Sequence, residues 1–363
     1  LAACLFKHFA NYALRLRERE LSALAEMDAG TIHHAILEQF VRCAVEEQAS
    51  LADMDDAQVR DRLAASCATV TSSVTSATAG SRARDLYMLH RSAEDLDRVL
   101  RSQRRVAQAG RFRPRSAEQK FGLDPPDSLP PLEMTTPAGR KILLSGFIDR
   151  VDLAELADEM LGVVIDYKRT RNKRLDLSEV YHGLSLQLLG YLLVLASHGK
   201  SLSGRPIQPA GAFYISLVEG YKPVDHPDDS PPAADAFGPR GLLDAARIAA
   251  LDCRYSGTRK SADYNYHRTT AGKLGYPDRS DAAESGDFER LLAHTRRKLG
   301  ELADGIFDGQ VNVLPYRLGT FSPCSWCQFG SVCRFEYGTT DVRRLDRFKR
   351  TEVFQKIRQE RAS

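Results

Sequence analysis

Two apolar, β-branched runs near the middle of the chain set its architecture. The runs are KILLSGFIDRVDL and LGVVIDYKRT, and a short polar segment, AELADEM, joins them. Such closely spaced runs predict two adjacent antiparallel strands. A helix over residues 183–197 and a further apolar run, AGAFYISLV, come next, so this region is predicted to be β-β-α-β. The order favours an α/β core.

Two aspartates and one lysine lie on the predicted strands. Alternation along a strand places Asp166 and Lys168 on one face and Tyr167 on the other. If the hairpin is symmetric about its loop, Asp149 lies directly opposite Asp166, with Cβ atoms about 5 Å apart. An Asp-x-Lys triplet arises about once by chance in a chain this long, so its place at the end of a strand beside a second aspartate is what matters.

Two neighbouring carboxylates on apolar strands repel each other and are costly to desolvate. A divalent cation between Asp149 and Asp166 relieves both costs, and hard oxygen ligands favour Mg2+ or Mn2+ over Zn2+. Lys168 then lies where it can position or activate an attacking water. We therefore predict a metal site at the ends of these two strands.

Two helical segments offer further site residues. In DAGTIHHAILEQF, a helix predicted to begin at Asp28 or Thr31, His34 shares a face with Glu38, while the competing His33 points about 100° away. Gln187 and Tyr191 follow the strands at i, i+4 spacing. From the residues alone, an amphipathic helix with a solvent-exposed tyrosine hydroxyl is the favoured explanation of this last pair.

The second strong motif is a C-x2-C-x5-C run near the C-terminus. Three thiolates at this spacing converge on one metal or cluster, and the fourth ligand is missing locally. Cys4 is the candidate for that position, so the set would link the two ends of the chain. Spacing alone leaves Zn2+ and iron-sulfur open. The run consists of Cys324, Cys327 and Cys333, and the remaining cysteines, Cys43, Cys67 and Cys253, are predicted to be ordinary buried thiols.

Charge and composition exclude several classes of protein. With 51 Lys and Arg against 48 Asp and Glu in 363 residues, the chain is neither a polycation nor an acidic tail. Residues 82–115 hold ten arginines against four acids, which predicts either a phosphate-binding patch or a solvated helix face.

The longest apolar stretch is too short to span a bilayer, and no signal peptide is recognisable, so we expect a cytoplasmic protein without a membrane partner. There is no phosphate-binding loop, G-x-S-x-G elbow or pair of zinc-protease histidines.

The chain is predicted to form one domain with five parts. Residues 1–115 are helical, 116–221 form the α/β core, and 222–285 are an insertion with a short helix over 242–251. Residues 286–340 hold a long helix, starting at 285 and ending near 309, and the cysteine segment. Residues 341–363 form a charged tail that is helical over 341–362.

Taken in order, these motifs resemble the RecB-type branch of the PD-(D/E)XK nucleases. They run from Cys4 with FKHFANYAL through DAGTIHH, GFIDRVD, IDYK and QLLGY to the C-x2-C-x5-C run, and the similarity is strongest to the iron-sulfur nuclease domain of the AddB type in bacterial AddAB helicase-nucleases. The resemblance implies a restriction-endonuclease-like core, a small mixed sheet flanked by helices, with a helical N-terminal region and a C-terminal iron-sulfur staple.

The resemblance also implies a function and a set of roles. The function is metal-dependent hydrolysis of single-stranded DNA or unwound DNA ends during double-strand-break repair, in a helicase-nuclease complex that in this family directs the 5′-ended strand to the site. A non-catalytic DNA-binding scaffold of the same fold and a CRISPR-associated iron-sulfur exonuclease are the alternatives. The implied roles are metal binding by His34, Asp149 and Asp166, water positioning by Lys168, DNA contact by Gln187 and Tyr191, and ligation of a 4Fe-4S cluster by Cys4, Cys324, Cys327 and Cys333.

Three positions can be compared with the family pattern. Leu5 stands where family members often have proline after the first cysteine, and Ile148 rather than proline precedes Asp149. Ligation needs only the thiolate, and the second departure is common within the RecB-type branch. Glu118, in the segment EQKFG, resembles another acidic position of the family and is a further, weaker site candidate.

Overall fold

Helices form the N-terminal third of the chain throughout its described part. The computed structural model describes residues 2–17, 29–75, 82–124, 128–219, 237–257 and 260–360. The short helix α1 (Leu5–His8) runs on into a π-helical turn (Phe9–Ala13), and the longer helices are α2 (Ala29–Glu46), α3 (Asp56–Thr75) and α4 (Arg82–Ala109). The helical prediction is confirmed for these ranges. Asp28 lies outside the described residues, and Thr31 is the third residue of α2.

A mixed seven-stranded sheet forms the centre of the structure, in the order β2-β1-β5-β6-β7-β8-β9. Strand β5 is antiparallel to both β1 and β6, whereas β6 and β7 are parallel. Strands β3 and β4 form a separate hairpin. The strands are β1 (Arg113–Phe121), β2 (Ser128–Leu129), β3 (Leu132–Thr135), β4 (Lys141–Leu144), β5 (Gly146–Glu155), β6 (Met160–Lys168), β7 (Ile207–Ser216), β8 (Arg240–Asp244) and β9 (Ala282–Ala283).

The β5–β6 hairpin has the predicted symmetric register. Its ladder runs from Glu155 opposite Met160 to Arg150 opposite Ile165. The next step along both strands places Asp149 opposite Asp166, as the prediction requires. On the other side of β5, the register places Glu118 of β1 opposite Asp149 as well. Three carboxylates therefore lie in a row across neighbouring strands.

Helices cover both faces of the sheet. Helices α2, α3 and α4 pack on the face that carries Ile165, Tyr167 and Ile215. Helices α6 and α9 pack on the opposite face, against Val164 and Tyr214. The alternation of neighbouring residues between these two clusters is that of a strand buried on both sides. The helices after the hairpin are α5 (Leu177–Tyr181), α6 (Gln187–His198), α7 (Lys200–Ser203), α8 (Ile248–Leu251) and α9 (Ser285–Phe307).

Helix α6 begins four residues later than the predicted start at residue 183. Gly183 ends the preceding turn of helix with φ of +79°, a left-handed conformation that glycine adopts without steric cost. Gln187 is therefore the first residue of α6, and Tyr191 lies one turn further on the same side. The predicted long helix from residue 285 is confirmed and ends at Phe307.

The prediction of a helix over residues 242–251 is wrong in its first part. Residues of β8 pair with β7 inside the central sheet, β9 pairs with β8, and only Ile248–Leu251 is α-helical. A short apolar run such as GLL has no periodicity that separates a buried strand from a helix. Gly241 allows the strand to approach closely, since a Cβ there would collide with the carbonyl oxygen of Ala212. Two strands of the region 222–285, β8 and β9, therefore belong to the central sheet.

The C-terminal segment returns to the N-terminus. Strand β10 (Tyr316–Leu318) pairs in parallel with β11 (Arg343–Leu345), and a 3-10 turn (Pro323–Trp326) and α10 (Gly330–Cys333) lie between them. The last helix, α11, covers Arg350–Gln359, so the tail predicted to be helical over 341–362 starts as a strand. Within the described ranges, no helix is long and apolar enough to cross a membrane.

Candidate active site

Asp149 and Asp166 lie at the ends of β5 and β6, where the backbone ladder of the hairpin stops. The Oδ2 atom of Asp149 accepts a hydrogen bond from the backbone N–H of Tyr167 at 2.8 Å. This side-chain contact replaces the next ladder bond and holds the carboxylate against the end of β6. The position of Asp149 thus follows directly from the register of the hairpin.

Asp166 is fully buried, with 0% of its surface exposed. Its Oδ2 atom lies 2.5 Å from Nζ of Lys168, and its Oδ1 atom has no hydrogen-bond partner in the described part of the chain. Burial and the charge of Asp149 raise the pKa of Asp166 to about 6, although Lys168 and His34 oppose the shift. A buried carboxylate with a free oxygen is costly unless a cation or proton accompanies it.

His34 reaches the same place from helix α2. Its Nε2 atom lies 3.0 Å from the carbonyl oxygen of Tyr167, and its Nδ1 atom lies 3.4 Å from Oδ2 of Asp149. Because a carbonyl only accepts, Nε2 carries the proton in the neutral ring, and Nδ1 keeps its lone pair on the carboxylate side. His33, only 2% exposed, does not share this position. Of the two histidines, His34 is the one at the site.

Glu118 completes the group, although sequence motifs indicate it only as a weak candidate. Metal ligands in proteins are most often His, Cys, Asp or Glu. In the described ranges, the only three residues of these types whose ligand atoms all lie within 4.8 Å of one another are His34, Glu118 and Asp149. Glu118 has φ of +45°, an unusual backbone conformation for a residue in a strand. Burial raises its pKa to about 7, and the charges of Asp149, Glu38 and Asp166 add to the shift.

The donor set suits a divalent cation. Two carboxylates and an imidazole converge, and the buried carboxylate of Asp166 lies beside them with a free oxygen. Burial and mutual repulsion raise the pKa of both Glu118 and Asp166, as expected where several carboxylates are buried close together. Carboxylates and imidazole are ligands that divalent cations take in proteins, and the residues present fit such a cation.

Gln187 and Tyr191 border this group from helix α6. The Nε2 atom of Gln187 donates a hydrogen bond to the hydroxyl oxygen of Tyr191 at 2.6 Å. Burial raises the pKa of Tyr191 to about 12, and the charges of Asp166, Asp149 and Glu118 contribute. The charges of the carboxylates therefore act on this hydroxyl.

A sequence model of the PD-(D/E)XK nuclease superfamily matches residues 1–334. The chain belongs to this superfamily. The predicted fold class, an α/β core of a mixed sheet flanked by helices, is confirmed for this PD-(D/E)XK nuclease.

Its relatives include three proteins whose names describe a subunit of an ATP-dependent helicase/deoxyribonuclease. The protein of Geobacillus kaustophilus (strain HTA426) is 32% identical over 340 residues, which cover 92% of this chain and 29% of the relative. That of Symbiobacterium thermophilum is 31% identical over 364 residues, covering 98% of this chain and 30% of the relative. That of Lysinibacillus sphaericus (strain C3-41) is 29% identical over 365 residues, which cover 98% of this chain and 31% of the relative. The PD-(D/E)XK chain thus spans about three-tenths of the length of these relatives.

The four cysteines of the predicted cluster line one cavity of this PD-(D/E)XK protein, with a volume of about 270 Å3. Burial and the neighbouring thiols raise the pKa of Cys324. No three of these sulfurs lie within 4.8 Å of one another in the described structure, since the only such group is the one at the active site. The cysteines are Cys4, Cys324, Cys327 and Cys333.

Backbone hydrogen bonds bring Cys4 to the other three cysteines. The N–H of Phe6 donates to the carbonyl of Asn312 at 3.1 Å, and the N–H of Tyr316 donates to the carbonyl of Ala3 at 3.2 Å. The N-terminal segment is therefore joined to the segment that precedes the C-x2-C-x5-C run. Among the other cysteines, Cys253 is exposed, so the prediction that it is buried is wrong. Cys43 and Cys67 are partly buried.

Ion pairs neutralise much of the arginine-rich stretch of α4. Arg98 contacts Asp95 at 2.5 Å, and Arg101 contacts Asp97 at 2.8 Å. Arg105 pairs with the buried Asp263 at 2.9 Å. Because these guanidinium groups already have carboxylate partners, the structure favours the interpretation of α4 as a charged helix face over that of a phosphate-binding patch.

Proposed function

We propose that the protein is a divalent-metal-dependent deoxyribonuclease, an exonuclease that hydrolyses phosphodiester bonds in single-stranded DNA or at unwound DNA ends. It acts in double-strand-break repair and recombination, in the cytoplasm, as the nuclease part of a helicase-nuclease complex. The observation that carries the proposal is the convergence of His34, Glu118 and Asp149 beside the Asp166–Lys168 pair. Membership of a nuclease superfamily supports it.

The metal site of this proposal is formed by His34, Asp149 and Asp166, with Glu118 added from the structure. Mg2+ or Mn2+ bound there supplies Lewis acidity toward a phosphate oxygen and lowers the pKa of a bound water. His34 is fixed through Tyr167, whose carbonyl accepts from one ring nitrogen and leaves the other free. A ligand oriented in this way needs no rearrangement when it binds a cation.

Lys168 is the residue that positions the attacking water. Its ammonium group lies 2.5 Å from the carboxylate of Asp166 and above the ring of Tyr214, at 5.9 Å from the ring centre. These two contacts hold the end of a flexible side chain at the edge of the metal site. An ammonium held there donates to a water and stabilises the negative charge that develops when a phosphodiester is attacked.

Gln187 and Tyr191 contact the DNA strand at the border of the site. Their mutual hydrogen bond fixes both side chains on one side of α6. The tyrosine stays protonated at neutral pH because its pKa is raised to about 12, so its hydroxyl can donate to a phosphate oxygen without adding charge. An amide and a neutral phenol suit binding of a polyanion next to several carboxylates.

The four cysteines hold a 4Fe-4S cluster in this proposal. Their donor set, four thiolates around one cavity, is the usual protein environment of such a cluster. The cluster has a structural role, since Cys4 comes from the first residues and the other three from the region after β10. Iron and acid-labile sulfide analysis of anaerobically purified protein tests this assignment, and zinc without sulfide would refute it.

A helicase partner follows from the relatives. Their names describe a subunit of an ATP-dependent helicase/deoxyribonuclease, and the stretches they share with this chain cover 92% and 98% of it. A phosphate-binding loop is absent from this sequence. Strand separation is therefore assigned to other parts of the complex, and this domain receives the unwound strand.

Digestion of two substrates tests the proposal. Linear single-stranded DNA, labelled at one end, and closed circular single-stranded DNA are incubated with the protein and Mg2+, with an EDTA control. The proposal predicts metal-dependent loss of the linear substrate and survival of the circle. Equal cleavage of both would replace the exonuclease by an endonuclease. Absence of cleavage in the presence of the helicase partner would reject the catalytic function.

A further inference from the structure

A cluster of cations directly follows the active-site strand. Residues 169–174, here called the basic loop, connect β6 to the segment before α5 and contain four cations: Arg169, Arg171, Lys173 and Arg174. No acidic residue interrupts them, and Asp176 is the first to follow. The three arginines are exposed. The loop begins directly after Lys168, so its charge is concentrated next to the catalytic group.

The basic loop folds back onto the site. The backbone N–H of Lys173 donates to the hydroxyl oxygen of Ser216 at 3.0 Å, and Ser216 is the ladder partner of Lys168. The Nζ atom of Lys173 also lies over the ring of Tyr214, at 5.5 Å. Five residues after Lys168 the chain has therefore returned to the neighbouring strand, about 4.8 Å away. Arg171, three residues from Lys168, has its Cα within about 11 Å of the Lys168 Cα.

The arginines of this loop differ from those of α4 in their partners. In the described part of the chain, Arg171 and Arg174 make no ion pair with any acid, whereas Arg98 and Arg101 are paired. Exposed guanidinium groups without a carboxylate remain available for an external anion.

The partner that fits this surface is a phosphate backbone. A carboxylate-rich site repels a polyanion, so a strand that enters it needs positive charge close by to offset the repulsion. Guanidinium groups bind phosphates in a bidentate manner and with little dependence on base sequence. A loop fixed at both ends presents these groups with less loss of conformational entropy than a free tail.

We propose that the basic loop binds the sugar-phosphate backbone of the DNA strand beside the scissile phosphate, through Arg171 and Arg174. This inference rests on the proposed nuclease function and assigns it a specific strand-binding surface. The loop acts by electrostatic attraction, so its contribution to affinity decreases as salt rises.

The test compares the salt dependence of single-stranded DNA binding between two matched variants. Fluorescence anisotropy with a labelled oligonucleotide is measured from 50 to 200 mM KCl, in EDTA to prevent cleavage. The double variant Arg171→Gln/Arg174→Gln removes two charges from the loop. The control Arg98→Gln/Arg101→Gln removes two charges from α4. Cleavage of the same oligonucleotide in Mg2+ is measured for all three proteins.

A plot of log K for binding against log salt has a negative slope. Loss of two phosphate contacts to a single strand should make this slope shallower by about 1.4 in the loop variant. The four-fold rise in salt therefore weakens binding by wild type about seven-fold more than binding by the loop variant. The control variant retains the wild-type slope. The loop variant also shows a raised KM with little change in kcat, because it lacks strand-binding charge and retains its catalytic residues.

Three other results are possible, and they separate failure of the loop inference from failure of the proposed nuclease function. If wild type binds and cleaves DNA but the loop variant keeps the same slope, the inference is wrong and the proposed function stands. If the loop variant loses only its association with the helicase partner, the loop binds an acidic protein surface, which also overturns the inference. If wild type neither binds nor cleaves DNA in the complex with its partner, both proposals fall.

Discussion

Acidification from pH 8 to pH 6 should weaken divalent-cation binding at the active site about 20-fold. The pKa is raised to about 7 for Glu118 and to about 6 for Asp166 by burial and by the charge of Asp149. A proton on either carboxylate competes with the cation. At pH 6 about nine-tenths of Glu118 and about half of Asp166 are protonated, whereas at pH 8 both are almost fully ionised. The product of the two ionised fractions is about 20 times larger at pH 8 than at pH 6, and this ratio is the expected change in affinity.

Isothermal titration with Mn2+ at pH 6, 7 and 8 and constant ionic strength measures this dependence directly. The Glu118→Gln variant retains the shape of the side chain and removes the group with the higher pKa, so the ratio of affinities between pH 8 and pH 6 should fall to about 2. Equal affinity of wild type at pH 6 and pH 8 would refute the electrostatic explanation. So would a 20-fold ratio that persists in Glu118→Gln.

Three further changes have expected outcomes. In EDTA at pH 8, Asp149→Asn should raise the free energy of unfolding by about 1–3 kcal/mol, because it removes repulsion with Glu118 and Asp166. The same variant should no longer be stabilised by Mn2+. A melting temperature below that of wild type in EDTA would contradict this prediction. Arg150→Met leaves the buried Asp152, held by Arg150 through two bonds of 2.6 Å, without a counterion, so chemical denaturation should show a loss of about 3–5 kcal/mol. Cys327→Ala should lose brown colour and folding together, as absorbance and circular dichroism would show, and a folded, colourless and fully active protein would exclude a structural cluster.

The hairpin that carries the site was predictable because its determinants are local. A period of two fixes which residues share a face, and a short loop fixes the register, so the opposition of Asp149 and Asp166 follows from the sequence. The same holds for Gln187 and Tyr191, since an i, i+4 spacing places both on one side of any helix. What these patterns could not supply is the direction in which the helix faces.

Glu118 could not be ranked among the main site residues, because its position depends on a strand pairing between distant segments. It lies opposite Asp149 only once β1 pairs with β5, and its backbone has a positive φ that no residue pattern announces. Strand β8 was missed for a related reason. Its apolar run is buried on both faces, so neither a helical nor a strand period is visible, and only its pairing with β7 decides the structure.

The most direct test of the proposed active site is cleavage of end-labelled single-stranded DNA by Asp166→Ala, measured anaerobically with Mg2+ or Mn2+. The matched control is Asp158→Ala, which removes an exposed aspartate at the loop end of the same hairpin, far from the site. We expect metal-dependent cleavage by wild type and the control, and none by a folded Asp166→Ala protein. Cleavage by Asp166→Ala at the wild-type rate would contradict the assignment of the active site.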